Sequence, residues 1–280
     1  MKRVAIFGAN GYLGRQLAFY FNQQGRECES FDLPEGDITA PDFWSAFDPT
    51  RYDAILFFAG MTGTERGFSE AVEYTTVNEL GLLRLLNRLA PLGASAPRII
   101  FPSSRLVYHG AEHPLSEDDP KEAKTVYAAN KLACEHYLAA YHNRFDLPYA
   151  CVRICVPYGN LISADYSYGT VGFFLRQAAE GVVTLYGDGS LRRTFTHVGD
   201  ICEIVLRLCE ADCNGVFNIG GEDLTLSEAA QLVAAAKSAR VSYVPWPETA
   251  LKLESGSTCF SSAKLTSAIG DFQYRKFSIN

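Results

Sequence analysis

The seven residues Gly8-Ala9-Asn10-Gly11-Tyr12-Leu13-Gly14 decide the fold of this 280-residue chain. They follow the apolar run VAIF at 4–7 and open a segment with helical spacing. In the pattern GxxGxxG, the first glycine permits a tight turn, the second lets a pyrophosphate approach the backbone, and the third lets helix and strand pack closely. The N-terminus of the following helix offers free N–H groups to a phosphate. The stretch therefore predicts a dinucleotide-binding loop, and the alternative is a glycine turn with a purely structural role.

A carboxylate at the end of the second predicted strand strengthens the dinucleotide interpretation. Asp32 ends the segment ECESFD at 27–32, 18 residues after Gly14. A carboxylate in this place accepts hydrogen bonds from a ribose diol and repels a 2′-phosphate. The sequence therefore predicts NAD(H) as the cofactor and makes NADP(H) the less favoured choice.

Apolar runs of strand length alternate with helical patterns through the first half of the chain. The predicted strands are 4–7, 27–32, 54–59, 98–102 and 149–155, and the predicted helices between them are 12–25, 42–47, 67–90 and 125–145. Continuous apolar strands separated by helices indicate a parallel sheet covered on both faces. The sequence thus predicts an α/β fold, namely a Rossmann doubly wound parallel sheet with a smaller C-terminal substrate-binding lobe. We assign residues 1–156 and about 194–220 to the cofactor-binding domain, and about 157–193 and 221–280 to the substrate-binding lobe.

Charge and composition exclude several classes of protein. The chain has 25 Lys and Arg against 32 Asp and Glu, a net charge of −7, and no long basic run, so nucleic acid is not an expected partner. No apolar run reaches the roughly 18 residues that a membrane span requires. The eight cysteines show no paired zinc-binding spacing, and no export signal precedes them. We therefore expect reduced thiols, no metal site and a cytoplasmic location.

Two side chains near the start of the fourth predicted helix suggest acid–base chemistry. Tyr127 and Lys131 are four residues apart, which places them on one helical face. A nearby ammonium would lower the pKa of the tyrosine from about 10, so that the phenol could exchange protons with a carbonyl or an alcohol. Ser103 and Ser104, just past the fourth predicted strand, would lie at the same edge of the sheet. A surface tyrosine beside a surface lysine is the alternative, since such a pair also arises by chance.

Together these motifs resemble the extended short-chain dehydrogenase/reductases, specifically the NAD-dependent nucleotide-sugar epimerase/dehydratase/reductase family. Further similar segments are GDIT at 36–39, FFAG at 57–60, VNELGLLRLL, PSSRLVYH and YGDGSLRRTFTHVGD. The resemblance implies that Ser104, Tyr127 and Lys131 are catalytic. It implies cofactor contacts from Gly8, Asn10, Gly11, Tyr12, Leu13, Gly14, Asp32, Asp37, Ile38, Phe58, Ala59, Gly60, Asn78, Tyr127 and Lys131. It implies substrate contacts from Ser104 and from Arg193, which would bind a diphosphate, while Arg105 either contacts substrate or covers the mouth of the cleft.

Departures from the family pattern narrow the implied reaction. Arg105 and Leu106 stand where dehydratases of the family carry an Asp-Glu pair, so water elimination is not expected. Val156 stands where many epimerases and dehydratases carry a substrate-binding Asn, which favours reduction. The resemblance therefore implies reduction of a 4-keto nucleotide-diphosphate sugar by hydride transfer, with a nucleotide-sugar 4-epimerase and a non-catalytic dinucleotide sensor as alternatives. By analogy with the family, we expect a homodimer.

Overall fold

Six parallel strands form the central sheet of the computed structural model, which describes residues 1–162 and 168–279. The strand order is β2-β1-β3-β4-β5-β9. The bounds are β1 Arg3–Phe7, β2 Glu27–Phe31, β3 Ala54–Phe57, β4 Arg98–Ser104, β5 Tyr149–Ile154 and β9 Gly215–Asn218. The five strands predicted from the sequence are present, and the predicted doubly wound α/β fold is confirmed.

Helices cover both faces of this sheet, which explains why residues 4–7 of β1 and 54–57 of β3 are apolar without interruption. Alternate residues of β1 point to opposite faces: Val4 and Ile6 join one hydrophobic cluster, and Ala5 and Phe7 join the other. The covering helices are α1 Tyr12–Gln23, α2 Pro41–Ala46, α3 Arg66–Ser69, α4 Ala71–Thr75, α5 Gly81–Leu89, α6 Val126–Phe145 and α8 Val198–Glu210. A π-helical segment, Thr76–Leu80, joins α4 to α5 without a break.

The strand order places a topological switch point between β1 and β3. The chain adds β2 on one side of β1 and then returns to the other side to form β3. The loops that leave the carboxyl ends of β1 and β3 therefore diverge and leave a crevice between them, where doubly wound folds bind ligands.

The later part of the chain forms two smaller sheets. One has the order β10-β8-β6 and the other pairs β11 with β7. These elements are β6 Val156–Tyr158, α7 Gly169–Ala179, β7 Val182–Tyr186, β8 Arg192–His197, β10 Glu222–Thr225, α9 Leu226–Ala236, β11 Arg240–Val244, α10 Glu248–Leu253 and α11 Ala263–Ile269. Thr225 caps α9 in a reciprocal capping box with Glu228. The division of the chain into two domains stays a prediction.

The shortest C-terminal elements were not predicted. No helix is predicted from the sequence within residues 248–280, but α10 and α11 lie there. Both helices have fewer than eight residues, so their hydrophobic periodicity is too brief to recognise. No described helix combines the length and apolar character that crossing a membrane would require.

Candidate active site

A cleft of about 220 Å³ opens where β1, β3, β4 and β5 end. It brings together the glycine loop, the segment after β3, the serines at the end of β4 and the start of α6. Its lining residues are Gly8, Gly11, Tyr12, Leu13, Gly14, Phe58, Gly60, Thr62, Pro102, Ser103, Ser104, Tyr127, Lys131, Ile154, Cys155, Pro157 and Tyr168. The three residues predicted to be catalytic thus share one cleft with most of the residues predicted to bind the cofactor.

The glycine loop has a shape that only glycine permits at two of its positions. Gly8 has φ +80°, and a Cβ there would lie 2.5 Å from the backbone nitrogen of Ala59. A Cβ on Gly14 would lie 2.0 Å from the carbonyl oxygen of Gly8. A Cβ on Gly11 would meet only that same oxygen, at 3.2 Å, and otherwise project into open space. The loop therefore leaves a cradle beside Gly11 at the start of α1, and this cradle fits a pyrophosphate bound to helix N–H groups.

Asp32 lies beside this loop in a second cavity of about 310 Å³. Its carboxylate accepts hydrogen bonds from the backbone N–H of Asn10, at 2.7 Å, and of Leu33, at 2.9 Å. These contacts tie the end of β2 to the glycine loop and hold the acid at the edge of the cavity. The arrangement fits a ribose diol, as the sequence predicts.

The predicted adenine segment lies further along the same edge. The Asp37 carboxylate accepts hydrogen bonds from the N–H and hydroxyl of Thr39, at 2.8 and 2.7 Å. Ile38 is 5% exposed and packs where a Cβ on Gly81 would lie. Asp37 and Ile38 thus order the turn after β2, and their contact with adenine stays a prediction.

Asn78 holds the loop after β3 in place through hydrogen bonds from its side chain. It lies in the π-helical segment and is 2% exposed. Its side-chain oxygen accepts the N–H of Met61 at 2.8 Å, and its amide donates to the carbonyl of Met61 at 3.1 Å. A Cβ on Gly60 would lie 2.8 Å from that same oxygen. Asn78 therefore positions the segment Phe58-Ala59-Gly60 and does not line the cleft.

Ser104 and Tyr127 reach the cleft from β4 and α6. Thr125 caps α6 by accepting the N–H of Ala128 at 3.1 Å, which fixes Tyr127 in the first helical turn. The side chains of Tyr127 and Ser104 are hydrogen-bonded to each other. One hydroxyl pair therefore faces the position where a substrate oxygen would bind.

A buried ion pair supports the end of β4. Arg153 and Glu135 are 3% and 5% exposed, and their side chains form hydrogen bonds of 2.6 and 2.9 Å. Glu135 also accepts the hydroxyl of Ser103, the residue before Ser104. No local sequence pattern indicates this pair, because Arg153 lies on β5 and Glu135 lies on α6.

The predicted lowering of the Tyr127 pKa is wrong. Burial raises the pKa of Tyr127 above its ordinary value, and the hydrogen bond with Ser104 offsets this only in part. Lys131 is near, with its Nζ 5.5 Å from the centroid of the Tyr127 ring. The tyrosine therefore stays protonated at neutral pH.

Burial also changes the pKa of Lys131. The residue is 5% exposed, and its Nζ lies 4.4 Å from the centroid of the Phe101 ring. Burial lowers its pKa from 10.5 to about 8, although Cys134, Cys151 and Glu135 act in the opposite direction. Because this pKa lies only slightly above neutral pH, Lys131 is a cation at the floor of the cleft that loses its charge when the pH rises through about 8.

The structure does not bring Arg193 to the cleft. The residue is 1% exposed, and its guanidinium donates to the Glu254 carboxylate at 2.6 Å and to the carbonyls of Arg192 and Gly256 at 2.8 and 2.6 Å. Burial, followed by the neighbouring Arg105 cation, lowers the pKa of Arg193 to about 10. This placement speaks against the predicted diphosphate contact, because the side chain is already occupied in fastening the C-terminal segment.

Tyr168 and Thr62 are cleft residues that the sequence analysis missed. The ring of Tyr168 stacks on Tyr12, with centroids 4.7 Å apart and planes 15° from parallel. Its hydroxyl is hydrogen-bonded to Thr62, and the hydroxyl of Tyr12 donates to the carbonyl of Gly159 at 2.7 Å. Tyr168 follows residues 163–167, which lie outside the described part of the chain.

Comparisons with known proteins agree with this geometry. A model of the NAD dependent epimerase/dehydratase family matches residues 4–220. The chain is 29% identical to dTDP-L-rhamnose 4-epimerase of Burkholderia thailandensis, over 74% of this chain and 68% of the relative. It is 26% identical to UDP-N-acetyl-alpha-D-glucosaminuronate decarboxylase of Bacillus cytotoxicus, over 88% and 84%. The crystal structure of Thermus thermophilus UDP-glucose 4-epimerase in complex with NAD superposes with a TM-score of 0.80 at 26% identity, covering 95% of this chain and 92% of that one.

The extent of these matches varies among the curated relatives. Three curated relatives, the first of which is the Burkholderia protein, are matched over 68%, 54% and 58% of their own lengths.

Proposed function

The chain belongs to the NAD-dependent epimerase/dehydratase family, and from this premise we propose that it is an NAD(P)-dependent nucleotide-sugar oxidoreductase that reduces a 4-keto nucleotide-diphosphate sugar. The observation that carries the proposal is the convergence of Ser104, Tyr127 and Lys131 on the cleft that the glycine loop also lines. A structural glycine turn has no need of these three side chains beside it.

Each functional residue of the cleft has a separate role in the reduction of a ketone. The bound NADH supplies the hydride. Tyr127 donates its phenolic proton to the carbonyl oxygen, and Ser104 donates a hydrogen bond to the same oxygen. Lys131, as an ammonium, faces the cleft floor where it can hold ribose hydroxyls and replace a proton lost from the phenol. The glycine loop and Asp32 bind the pyrophosphate and the ribose diol.

Two features favour reduction over other reactions of the family. Burial keeps the phenol of Tyr127 protonated, which is the form that a ketone reduction consumes. Arg105 and Leu106 follow Ser104, and neither side chain can act as the carboxylic acid or base of a water elimination. No Asp or Glu is among the described residues that line the cleft, whose titratable side chains are those of Tyr12, Tyr127, Tyr168, Lys131 and Cys155.

A nucleotide-sugar 4-epimerase is the second candidate, and the relatives favour it equally. Both the Burkholderia relative and the Thermus structure are 4-epimerases by name. An epimerase would use the same residues, with Tyr127 first accepting and then returning a proton at the 4-oxygen.

Cofactor turnover separates the two candidates. The purified protein is mixed with NADH and with 4-keto nucleotide sugars, and absorbance of NADH is followed. A reductase consumes NADH in proportion to the keto-sugar. Unchanged NADH with every 4-keto sugar, together with NAD that remains bound through purification, would rule out the reductase and leave the epimerase.

The Tyr127→Phe variant tests both enzymatic candidates. We expect its kcat to fall by about 10²–10⁴-fold with cofactor affinity retained, because general acid catalysis contributes about that factor. Tyr141→Phe on the same helix is the matched control, since the hydroxyl of Tyr141 bonds to Asn87 away from the cleft. A Tyr127→Phe variant with full turnover contradicts the proposed mechanism, and a wild-type protein that binds NAD but converts no nucleotide sugar is a dinucleotide sensor.

The homodimer and the cytoplasmic location also stay proposals. Light scattering coupled to size-exclusion chromatography distinguishes a chain of 30.8 kDa from a particle of twice that mass.

A further inference from the structure

Arg105 lies in a pocket that adjoins the cleft on its substrate side. This pocket has a volume of about 290 Å³ and shares Thr62, Ser104, Tyr127, Cys155, Pro157 and Tyr168 with the cleft. The remaining described lining residues are Gly63, Thr64, Arg105, Leu106, Val156, Gly169 and Thr170. Arg105 is thus the one charged side chain among the described residues that line the pocket.

The guanidinium of Arg105 has donors without acceptors. Its Nη1 is fully shielded from solvent, and no described group accepts a hydrogen bond from it. The nearby carboxylate of Glu254 is taken by Arg193, and no described carboxylate forms an ion pair with Arg105. Arg105 thus lines the pocket as a cation with no counter-ion among the described residues, and an anionic ligand in the pocket would supply one.

The position of Arg105 in the chain decides which anion it meets. It directly follows Ser104, whose hydroxyl is bonded to Tyr127, in the 3₁₀ turn Arg105–Val107. Arg105 therefore enters the pocket at the end where Ser104 and Tyr127 would meet the reacting oxygen. The carbon neighbours of a reacting C4 are C3, which carries a hydroxyl, and C5, which carries C6. Of these substituents C6 is the one that can be a carboxylate, whereas the diphosphate is attached through C1, across the sugar ring.

We propose that Arg105 binds a carboxylate at C6 of the sugar, so that the substrate is a nucleotide-linked uronic acid. This inference rests on the proposed function and names the substrate class of the same site. The planar guanidinium presents paired N–H donors that match the two oxygens of a carboxylate, which a neutral hydroxymethyl group cannot replace.

The test compares two ligands that differ only at C6. UDP-glucuronate and UDP-glucose, and the same pair in the dTDP series, are titrated calorimetrically into the NAD-loaded protein. In the nucleotide series that binds, we expect the wild type to bind the glucuronate form at least 10-fold more tightly than the glucose form. In Arg105→Gln this preference falls by about 10- to 100-fold, because a charged hydrogen-bonded pair is lost. Arg105→Lys keeps a part of the preference, since it retains the charge without the paired donors.

Arg192→Gln is the matched control for net charge. Arg192 is exposed, and its guanidinium donates to the backbone carbonyl of Asp223. We expect this variant to keep the wild-type preference. Thermal unfolding of each variant checks that the fold is retained. Should Arg105→Gln fail to fold, the comparison of the two sugars is made with Arg105→Lys.

Several outcomes overturn the inference. An equal loss of affinity for both sugars in Arg105→Gln assigns the residue to the diphosphate. A wild-type protein with no preference for the glucuronate form, or a preference that Arg105→Gln leaves intact, removes the carboxylate subsite. In each of these cases binding and turnover of nucleotide sugars persist and the proposed function stands, whereas a protein that binds neither series loses both.

Discussion

Replacing Lys131 by methionine should stabilise the fold while it removes activity. Burial lowers the pKa of Lys131 from 10.5 to about 8, and each pH unit of such a difference corresponds to about 1.4 kcal/mol. The buried charge thus costs about 3 kcal/mol of folding free energy at neutral pH. Loss of the ammonium over the Phe101 ring, 4.4 Å away, removes up to about 1 kcal/mol of favourable contact. Since methionine retains the apolar stem, we expect a net gain of about 2 kcal/mol.

Denaturant unfolding of wild type and Lys131→Met at several pH values measures this gain. The penalty in the wild type is fully present below pH 8, where the lysine is charged in both the folded and the unfolded state. It declines as pH rises towards 10.5, because the folded protein releases the proton first. The difference in unfolding free energy between variant and wild type should therefore shrink over that interval, and kcat should be lost at every pH.

A variant less stable than wild type at pH 7, or a difference that does not change with pH, would refute this reasoning. Lys252→Met is the control, because the Lys252 side chain is 69% exposed and forms its ion pair with Glu248, whose side chain is 81% exposed. We expect it to change the unfolding free energy by well under about 1 kcal/mol.

Three further predictions address the cofactor loop and its support. Gly11→Ala should keep the unfolding free energy within about 1 kcal/mol yet weaken NAD binding at least about 10-fold in calorimetric titration, because the new methyl group projects into the cradle rather than into the protein. Asp32→Asn should shift the ratio of NADP to NAD affinity about 10-fold towards NADP, measured by fluorescence titration, because it removes the charge that repels a 2′-phosphate. Arg153→Met should lower the unfolding free energy by about 3–5 kcal/mol, since Glu135 would remain buried without its partner, and adding Glu135→Gln should recover part of that loss.

The architecture was accessible from sequence because its signals are local. Strand β1 is apolar from Val4 to Phe7 and is followed at once by Gly8, so adjacent residues indicate both its burial and the turn after it. The order of strands and helices then places Ser104 and Tyr127 at the same edge of the sheet as the glycine loop, which the structure confirms.

Errors arose where tertiary contacts decide the property. The spacing of Tyr127 and Lys131 predicts that they are neighbours, but the pKa of each depends on burial by other elements, which spacing does not reveal. Arg193 has its partner Glu254 61 residues later in the chain, beyond the reach of any local pattern. Tyr168 lies in an irregular loop, and its stacking on Tyr12 likewise depends on how distant segments meet.

A deletion within the π-helical segment before α5 would disturb the loop after β3. One residue removed from Thr76–Leu80 would give a regular helix, which is ordinarily a gain in backbone geometry. It would also turn Asn78 by about 100° relative to one flanking helix and withdraw its amide from Met61. Homologues that keep Asn78 should therefore also keep the length of the π-helical segment. In homologues whose segment is one residue shorter, a different residue should hold the loop after β3.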